Sequence, residues 1–188
     1  MMERTLVLIK PDGIKRGLVG KITSAFEDCG LKIVGMKLVS PSPEKVQEHY
    51  NADENWLRSV GEKSIKSAKE RNEPINEDPI EIGKRIRSYL INYLANNPVI
   101  AMVLEGNNAI EIVRKIIGST QPSKADPSTI RGKYSSDSYD LADSNKRAVR
   151  NLVHASEDKA SAEREIKVWF NESELIQYSR SDEKEMYG

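Results

Sequence analysis

Short apolar runs alternate with longer stretches in which apolar residues recur every third or fourth position, and this alternation predicts an order of elements. Residues 5–10 form a β-rich apolar run stopped by Pro11-Asp12-Gly13, a turn composition, so Lys10 falls at a strand end. Residues 19–29 carry apolar positions at helical spacing, Gly30 supplies a terminator, and 31–40 reads as a second strand. Ser42-Pro43 opens a further helix, because proline at the first helical position gives up a donor that would be unpaired anyway. Val46 and Tyr50 then share a face one turn apart.

Residues 51–85 are polar and lysine-rich, with Trp56, Leu57, Val60 and Ile65 as intermittent apolar positions. Asp78-Pro79 restarts a helix whose stripe is Ile82, Ile86, Leu90 and Tyr93, ended by Asn96-Asn97-Pro98. Residues 99–104 are an apolar strand, and Asn108 is placed to cap a helix carrying Ile112, Val113, Ile116 and Ile117 before Gly118. Arg114 sits beside that stripe and looks outward, and the Ser-, Thr- and Pro-rich loop 119–131 can wrap a ligand. A last strand at 151–154 and a helix at 160–170 complete the order βαβ, helices, βαβ. That order suits an α+β, ferredoxin-like sandwich: two split βαβ halves forming one antiparallel sheet with helices on one face.

Composition changes this picture little. The chain has 188 residues, enough for one sizeable core, and 29 basic against 29 acidic side chains, so no overall charge favours a nucleic acid or an anionic membrane. Cys29, the single cysteine, has no internal disulfide partner and continues the spacing Ile22, Phe26 as a helix-core residue. No secretory leader opens the sequence and no apolar run is long enough to span a bilayer, which points to a soluble, reducing, cytoplasmic setting.

Candidate chemistry gathers in Asn151-Leu152-Val153-His154-Ala155-Ser156 and the helix that follows with Glu165. A neutral imidazole is a competent nucleophile, and a carboxylate on one ring nitrogen fixes the tautomer that frees the other. On the last helix Ala162, Ile166, Trp169 and Phe170 follow core spacing, leaving Glu165 at the stripe's edge, where a carboxylate needs a partner. Lys10, Arg114, Thr120 and Arg131 are donors suited to a polyphosphate. Taken singly, each reads as an ordinary surface or core residue, and only their joint occurrence argues for a site. The sequence has neither the Cys/His spacing of a structural zinc site nor a Walker-type glycine-rich loop.

Four motifs become recognisable together: Ile9-Lys10-Pro11-Asp12-Gly13, Arg16-Gly17-Leu18-Val19-Gly20, Thr129-Ile130-Arg131-Gly132, and Asn151 through Ser156. On these the chain resembles a nucleoside diphosphate kinase over about residues 3–50 and 86–178. The resemblance implies the ferredoxin-like sandwich and a ping-pong transfer of the terminal phosphoryl group from a nucleoside triphosphate to a diphosphate. By it, His154 accepts the phosphoryl group, Glu165 and Ser156 hold it in place, and Arg114 and Thr120 grip the inner phosphates. Arg131 approaches the transferring group, Lys10 and Tyr50 support it, and Asn151 binds the sugar. Magnesium is expected to arrive with the nucleotide, with Glu157 near it. Broad base tolerance and self-association are also implied.

Departures from the family pattern are read at three places within one domain: an inserted helical segment at about 51–85, an extended loop at about 133–150 containing Tyr134, Tyr139 and Leu141, and a charged, mobile or contact-making tail at 179–188. Where the family clamps the base with an aromatic ring, the alignment places Ile86, and Trp56 within the inserted segment is the alternative stacking surface. Two readings compete with the enzyme: a regulatory nucleotide-binding protein that signals through its insertions, and a structural assembly protein.

Overall fold

A computed structural model describes residues 2–188. Strand β1 (Met2–Ile9) runs into α1 (Pro11–Lys15), and α2 (Val19–Glu27) leads to β2 (Lys32–Val39). Three helices, α3 (Pro43–His49), α4 (Glu54–Glu70) and α5 (Pro79–Leu94), precede β3 (Val99–Asn107). Then come α6 (Ala109–Ile117), a 3-10 turn at Pro122–Lys124, α7 (Ile130–Tyr134), α8 (Tyr139–Ser144) and β4 (Val153–Ala155). Helix α9 (Lys159–Trp169), a second 3-10 turn at Glu172–Glu174 and α10 (Glu183–Tyr187) follow.

The sheet order is β2-β3-β1-β4 with every pairing antiparallel, the arrangement of a ferredoxin-like sandwich. The helical covering is more extensive than the expected single layer. Successive side chains of a strand point to opposite faces, and on β1 Val7 and Ile9 join a core with Ile22 and Phe26 of α2 and Val113 and Ile117 of α6. Leu6 and Leu8 join the other, with Val46 of α3, Leu94 of α5 and Trp169 of α9. A central strand that is apolar on both faces must be covered on both.

Several local expectations are corrected. Pro11-Asp12-Gly13 is the first turn of α1 instead of a non-helical turn, with Pro11 at its start. Cys29 is exposed: α2 ends at Glu27, and the turn through Gly30, at φ +80°, carries Cys29 off the buried stripe. Asn108 adopts a left-handed conformation, φ 49°, and its side chain does not cap α6. Glu3 of β1 supplies the cap instead, accepting the Ile110 N–H at 3.0 Å, a long-range contact invisible to local spacing.

Residues 51–85 are mostly helical: Asp53 caps α4 through the Trp56 N–H, and Asp78 caps α5 through the Ile80 N–H. Two glycines let these helices approach at backbone distance. A β-carbon on Gly61 would lie 1.8 Å from the Pro79 carbonyl oxygen, and one on Gly83 would lie 2.2 Å from that of Leu57. Within the expected stripe of α5, Ile82 is buried whereas Ile86, Leu90 and Tyr93 are half-buried; Ile86 and Leu90 line a cavity.

The charged tail, expected to be mobile or at a subunit contact, is docked on its own chain. Lys32 donates to the Tyr178 carbonyl and Glu183, both at 2.9 Å, and the Tyr187 hydroxyl donates to the Gly30 carbonyl at 3.1 Å. Arg180 donates to the Leu31 carbonyl at 3.1 Å.

Candidate active site

Edge strand β4 presents His154, and α9 brings Glu165 to it: His154 Nε2 lies 2.9 Å from Glu165 Oε2. The Ser156 hydroxyl donates to the same carboxylate oxygen at 2.7 Å and accepts the Leu6 N–H at 3.3 Å, so it is anchored to the neighbouring strand. Arg164 approaches the other oxygen at 3.4 Å. Glu165, expected at the edge of the stripe, is only 5% exposed. Burial by itself would raise its carboxyl pKa, but the His154 ring and hydrogen bond, His49 and Ser156 outweigh this and hold it at about 2. An ionised carboxylate only accepts, so the proton of a neutral His154 sits on Nε2 and the lone pair on Nδ1.

Ahead of β4 the backbone kinks at Leu152, whose φ of 67° is costly for a branched side chain. Two bonds hold the kink: the Lys10 N–H donates to the Leu152 carbonyl at 2.8 Å, and the Leu152 N–H donates to Asp12 at 3.0 Å. The Asn151 amide is thereby tied to the Thr120 carbonyl at 2.9 Å, while its oxygen accepts Lys10 Nζ at 2.7 Å.

Lys10 is buried. Loss of hydration, reinforced by the Arg131 guanidinium, lowers its ammonium pKa to about 8. Arg131 lies on α7 and not in the preceding loop, because Thr129 caps a short helix there by accepting the Gly132 N–H at 3.2 Å. Burial lowers the Arg131 pKa to about 10. Its guanidinium donates to the carbonyls of Asn151, Gly118 and Val153 at 3.1, 2.8 and 2.7 Å. It thus ties the strand that carries His154 to the turn after α6, and of its five N–H donors two remain for a ligand.

One cavity of about 580 Å³ brings most of the expected residues together: Lys10, Tyr50, Arg114, Thr120, Arg131, Asn151, His154 and Glu165 all line it. Arg114 and Thr120 are exposed to it, Tyr50 is buried, and Ser156 lies behind Glu165 outside the lining. Its apolar wall is Trp56 and Val60 from α4 with Ile86 and Leu90 from α5, so both candidate base contacts face the same space. Glu157 is on the rim, 3.8 Å from Lys63 of α4. The first two of the segments read as departures also meet there, since Arg71 pairs with Asp140 and Asp143 of α8, and Glu70 reaches the 119–131 loop through Lys124 at 2.9 Å.

Sequence reasoning missed His49, which is 1% exposed and packs edge to face on His154 with ring centroids 4.5 Å apart. Trp169 Nε1–H donates to its Nδ1 at 3.2 Å. Burial and then the nearby His154 depress its pKa well below the ordinary imidazole range, so it is neutral. A signal existed: Val46, His49 and Tyr50 share one helical face, and the chain has only two histidines. Arg164 and Asp12 were also not singled out.

A ferredoxin-like sandwich that sets a carboxylate-held histidine beside a basic, partly apolar cavity defines a nucleotide phosphotransferase. A sequence model described as nucleoside diphosphate kinase matches residues 3–71 and 79–175. A nucleoside diphosphate kinase of Pyrobaculum aerophilum is 49% identical over 181 residues, covering 94% of this chain and 99% of that relative. The crystal structure of an NDP kinase from the same organism superposes with a TM-score of 0.89 at 47% identity, covering 94% of this chain and 100% of that one. A nucleoside-diphosphate kinase of Borrelia burgdorferi, described as a transition state mimic with bound vanadate and ADP, gives 0.80 at 34% identity, with coverage of 98% and 96%. The chain belongs to the nucleoside diphosphate kinase family. Residues 72–78 lie between the two matched stretches, inside the segment read as inserted.

Proposed function

We propose that this chain is a nucleoside diphosphate kinase in which His154 carries the phosphoryl group between two nucleotides. The observation that supports this most is the 2.9 Å contact of Glu165 with Nε2, which leaves Nδ1 as the nucleophile. Nδ1 attacks the terminal phosphorus of a nucleoside triphosphate; an N–P bond forms as the bond to the bridging oxygen breaks, and the diphosphate leaves. A second nucleoside diphosphate then attacks the phosphohistidine through a terminal oxygen, and His154 returns to its starting state. Charge spreads over the transferred oxygens in each step, so fixed donors in a partly closed cavity stabilise it.

In this reading Arg114 and Thr120 hold the inner phosphates, Lys10 and the remaining donors of Arg131 meet the transferring group, and Asn151 with Tyr50 takes the sugar. Ser156 and Glu165 keep the ring aligned. The base rests on the apolar wall, with Trp56 and Ile86 both available; contact through ring faces carries little hydrogen-bond readout, which suits broad base tolerance. Initial rates at several fixed concentrations of the second nucleotide are expected to give parallel double-reciprocal lines. Intersecting lines would require both nucleotides bound at once and contradict the carrier role.

Magnesium fits as an ion delivered with the nucleotide. Among the described residues, the group with donor atoms within 4.8 Å of one another is His49, His154 and Glu165, a nitrogen-rich set already engaged with itself and Trp169, unlike the oxygen shell this ion prefers. Phosphate oxygens and water would hold it, with Glu157 on the cavity rim lending support, and it would neutralise charge on the transferred group.

Lys10 gives a pH signature. With a pKa of about 8 in the free protein, against 10.5 unperturbed, it is partly uncharged at mildly alkaline pH. Polyphosphate favours the charged form, so binding takes up a proton between about pH 8 and 9, and affinity weakens as pH rises through that range. Calorimetric titration of ATP in buffers of different ionisation heat checks this; no proton uptake would contradict it.

Self-association fits the exposed edge of the sheet. β2 is an edge strand bearing Leu38, 66% exposed, and Met36, 44% exposed, a surface that invites a second copy. Light scattering is expected to exceed the 21.2 kDa of one chain. Among the described residues no helix is long and apolar enough to cross a membrane. A cytoplasmic setting and the absence of a specific nucleic-acid partner complete the proposal.

A further inference from the structure

We propose that His49 is a positioning residue for phosphoryl transfer, its ring fixing the plane in which His154 presents Nδ1. The inference rests on the carrier role given to His154 above. A single hydrogen bond from Nε2 to Glu165 holds one atom of the imidazole but leaves the ring able to rock about that contact. The missing constraint is a second surface. His49 supplies the nearer one, with ring centroids 4.5 Å apart and planes at 83°, while the Tyr50 ring stands farther off at 6.1 Å.

His49 is itself immobilised, as such a stop must be. It closes the last turn of α3, buried between Tyr50, at 4.5 Å, and Trp169, at 5.7 Å between ring centroids. The Trp169 bond also fixes its tautomer. Because Nδ1 accepts the indole N–H, the proton of the neutral ring sits on Nε2, and that nitrogen is buried without a hydrogen-bond partner. The same tautomer argues against a metal shared by His49, His154 and Glu165: an ion on Nε2 needs the proton on Nδ1, where Trp169 already donates.

The test separates ring shape from burial. His49→Phe and His49→Leu both remove the acceptor for Trp169 and lose comparable stability, but only Phe keeps a flat ring against His154. His49→Asn keeps an acceptor near the Nδ1 position and removes the ring. Single-turnover phosphorylation by ATP-magnesium is expected to fall about tenfold or more in the Asn and Leu variants and to stay within about threefold in Phe, with the ATP dissociation constant little changed in all three. Ring nitrogen spectra, simplified by the presence of only two histidines, are expected to show His154 as a single Nε2–H tautomer in the wild type and broadened in the Asn variant.

Wild-type phosphorylation rates in both Asn and Leu variants, or a rate loss in Phe equal to that in Leu, would overturn the positioning role. Failure of the wild-type protein to be phosphorylated would instead count against the carrier reading itself. If the Asn variant does not fold, the Phe and Leu pair decides the question.

Discussion

His154→Ala is expected to abolish phosphoryl exchange while leaving nucleotide binding nearly intact. The substitution removes the atom that forms the N–P bond, and no neighbour replaces it: His49 is turned toward Trp169, and Glu165 is held by Ser156 and Arg164. Loss of a covalent nucleophile costs roughly 10⁴-fold or more in turnover. The phosphate donors are set by other contacts, Lys10 through Asn151 and Arg131 through three carbonyls, none of which passes through the imidazole. ATP affinity is therefore expected to change less than about tenfold, or 1.4 kcal/mol. Calorimetric binding beside a coupled turnover assay checks both halves, and equal loss of the two would show His154 to be part of the clamp.

Glu165→Gln carries the second largest effect. The amide is close in shape to the carboxylate but offers both a donor and an acceptor, so it no longer dictates which nitrogen of His154 bears the proton. A comparable change beside a catalytic histidine costs about 10⁴-fold, and a loss of roughly 10²- to 10⁴-fold in turnover is expected here. Stability offers an independent reading. The folded pKa of about 2 lies below the unperturbed 4.5, so ionised Glu165 stabilises the fold at pH above about 4.5, and that contribution is lost as pH falls toward 2. It is on the order of 3 kcal/mol for this buried group. Acid unfolding of the Gln variant should lack that pH-dependent contribution; an unchanged acid profile together with unchanged turnover would show that the carboxylate does neither task.

How much of this was legible in the sequence follows from how local each cause is. Strand and helix order came from periodicity, and helix starts from Ser42-Pro43 and Asp78-Pro79, because caps act within one turn. The cap of α6 was not readable, since its acceptor is Glu3, more than a hundred residues away. Cys29 was misplaced because a helical stripe does not reveal which turn is its last.

At the site, the chemical types of Lys10, Arg131, Asn151, His154 and Glu165 were legible through motifs, but their coupling was not. That Arg131 spends three donors on backbone carbonyls, or that Lys10 is buried enough to be partly neutral near pH 8, depends on packing. His49 escaped for a related reason: its role lies in a ring contact made only when α3 and α9 close on β4.

The central claim, that His154 carries the phosphoryl group, is tested most directly by intact-protein mass after brief exposure to ATP-magnesium, followed by a GDP chase. The account predicts a gain of one phosphoryl group, absent in His154→Ala, that GDP discharges with formation of GTP. A wild-type protein that binds ATP without that gain, or keeps the group in the presence of GDP, would contradict it.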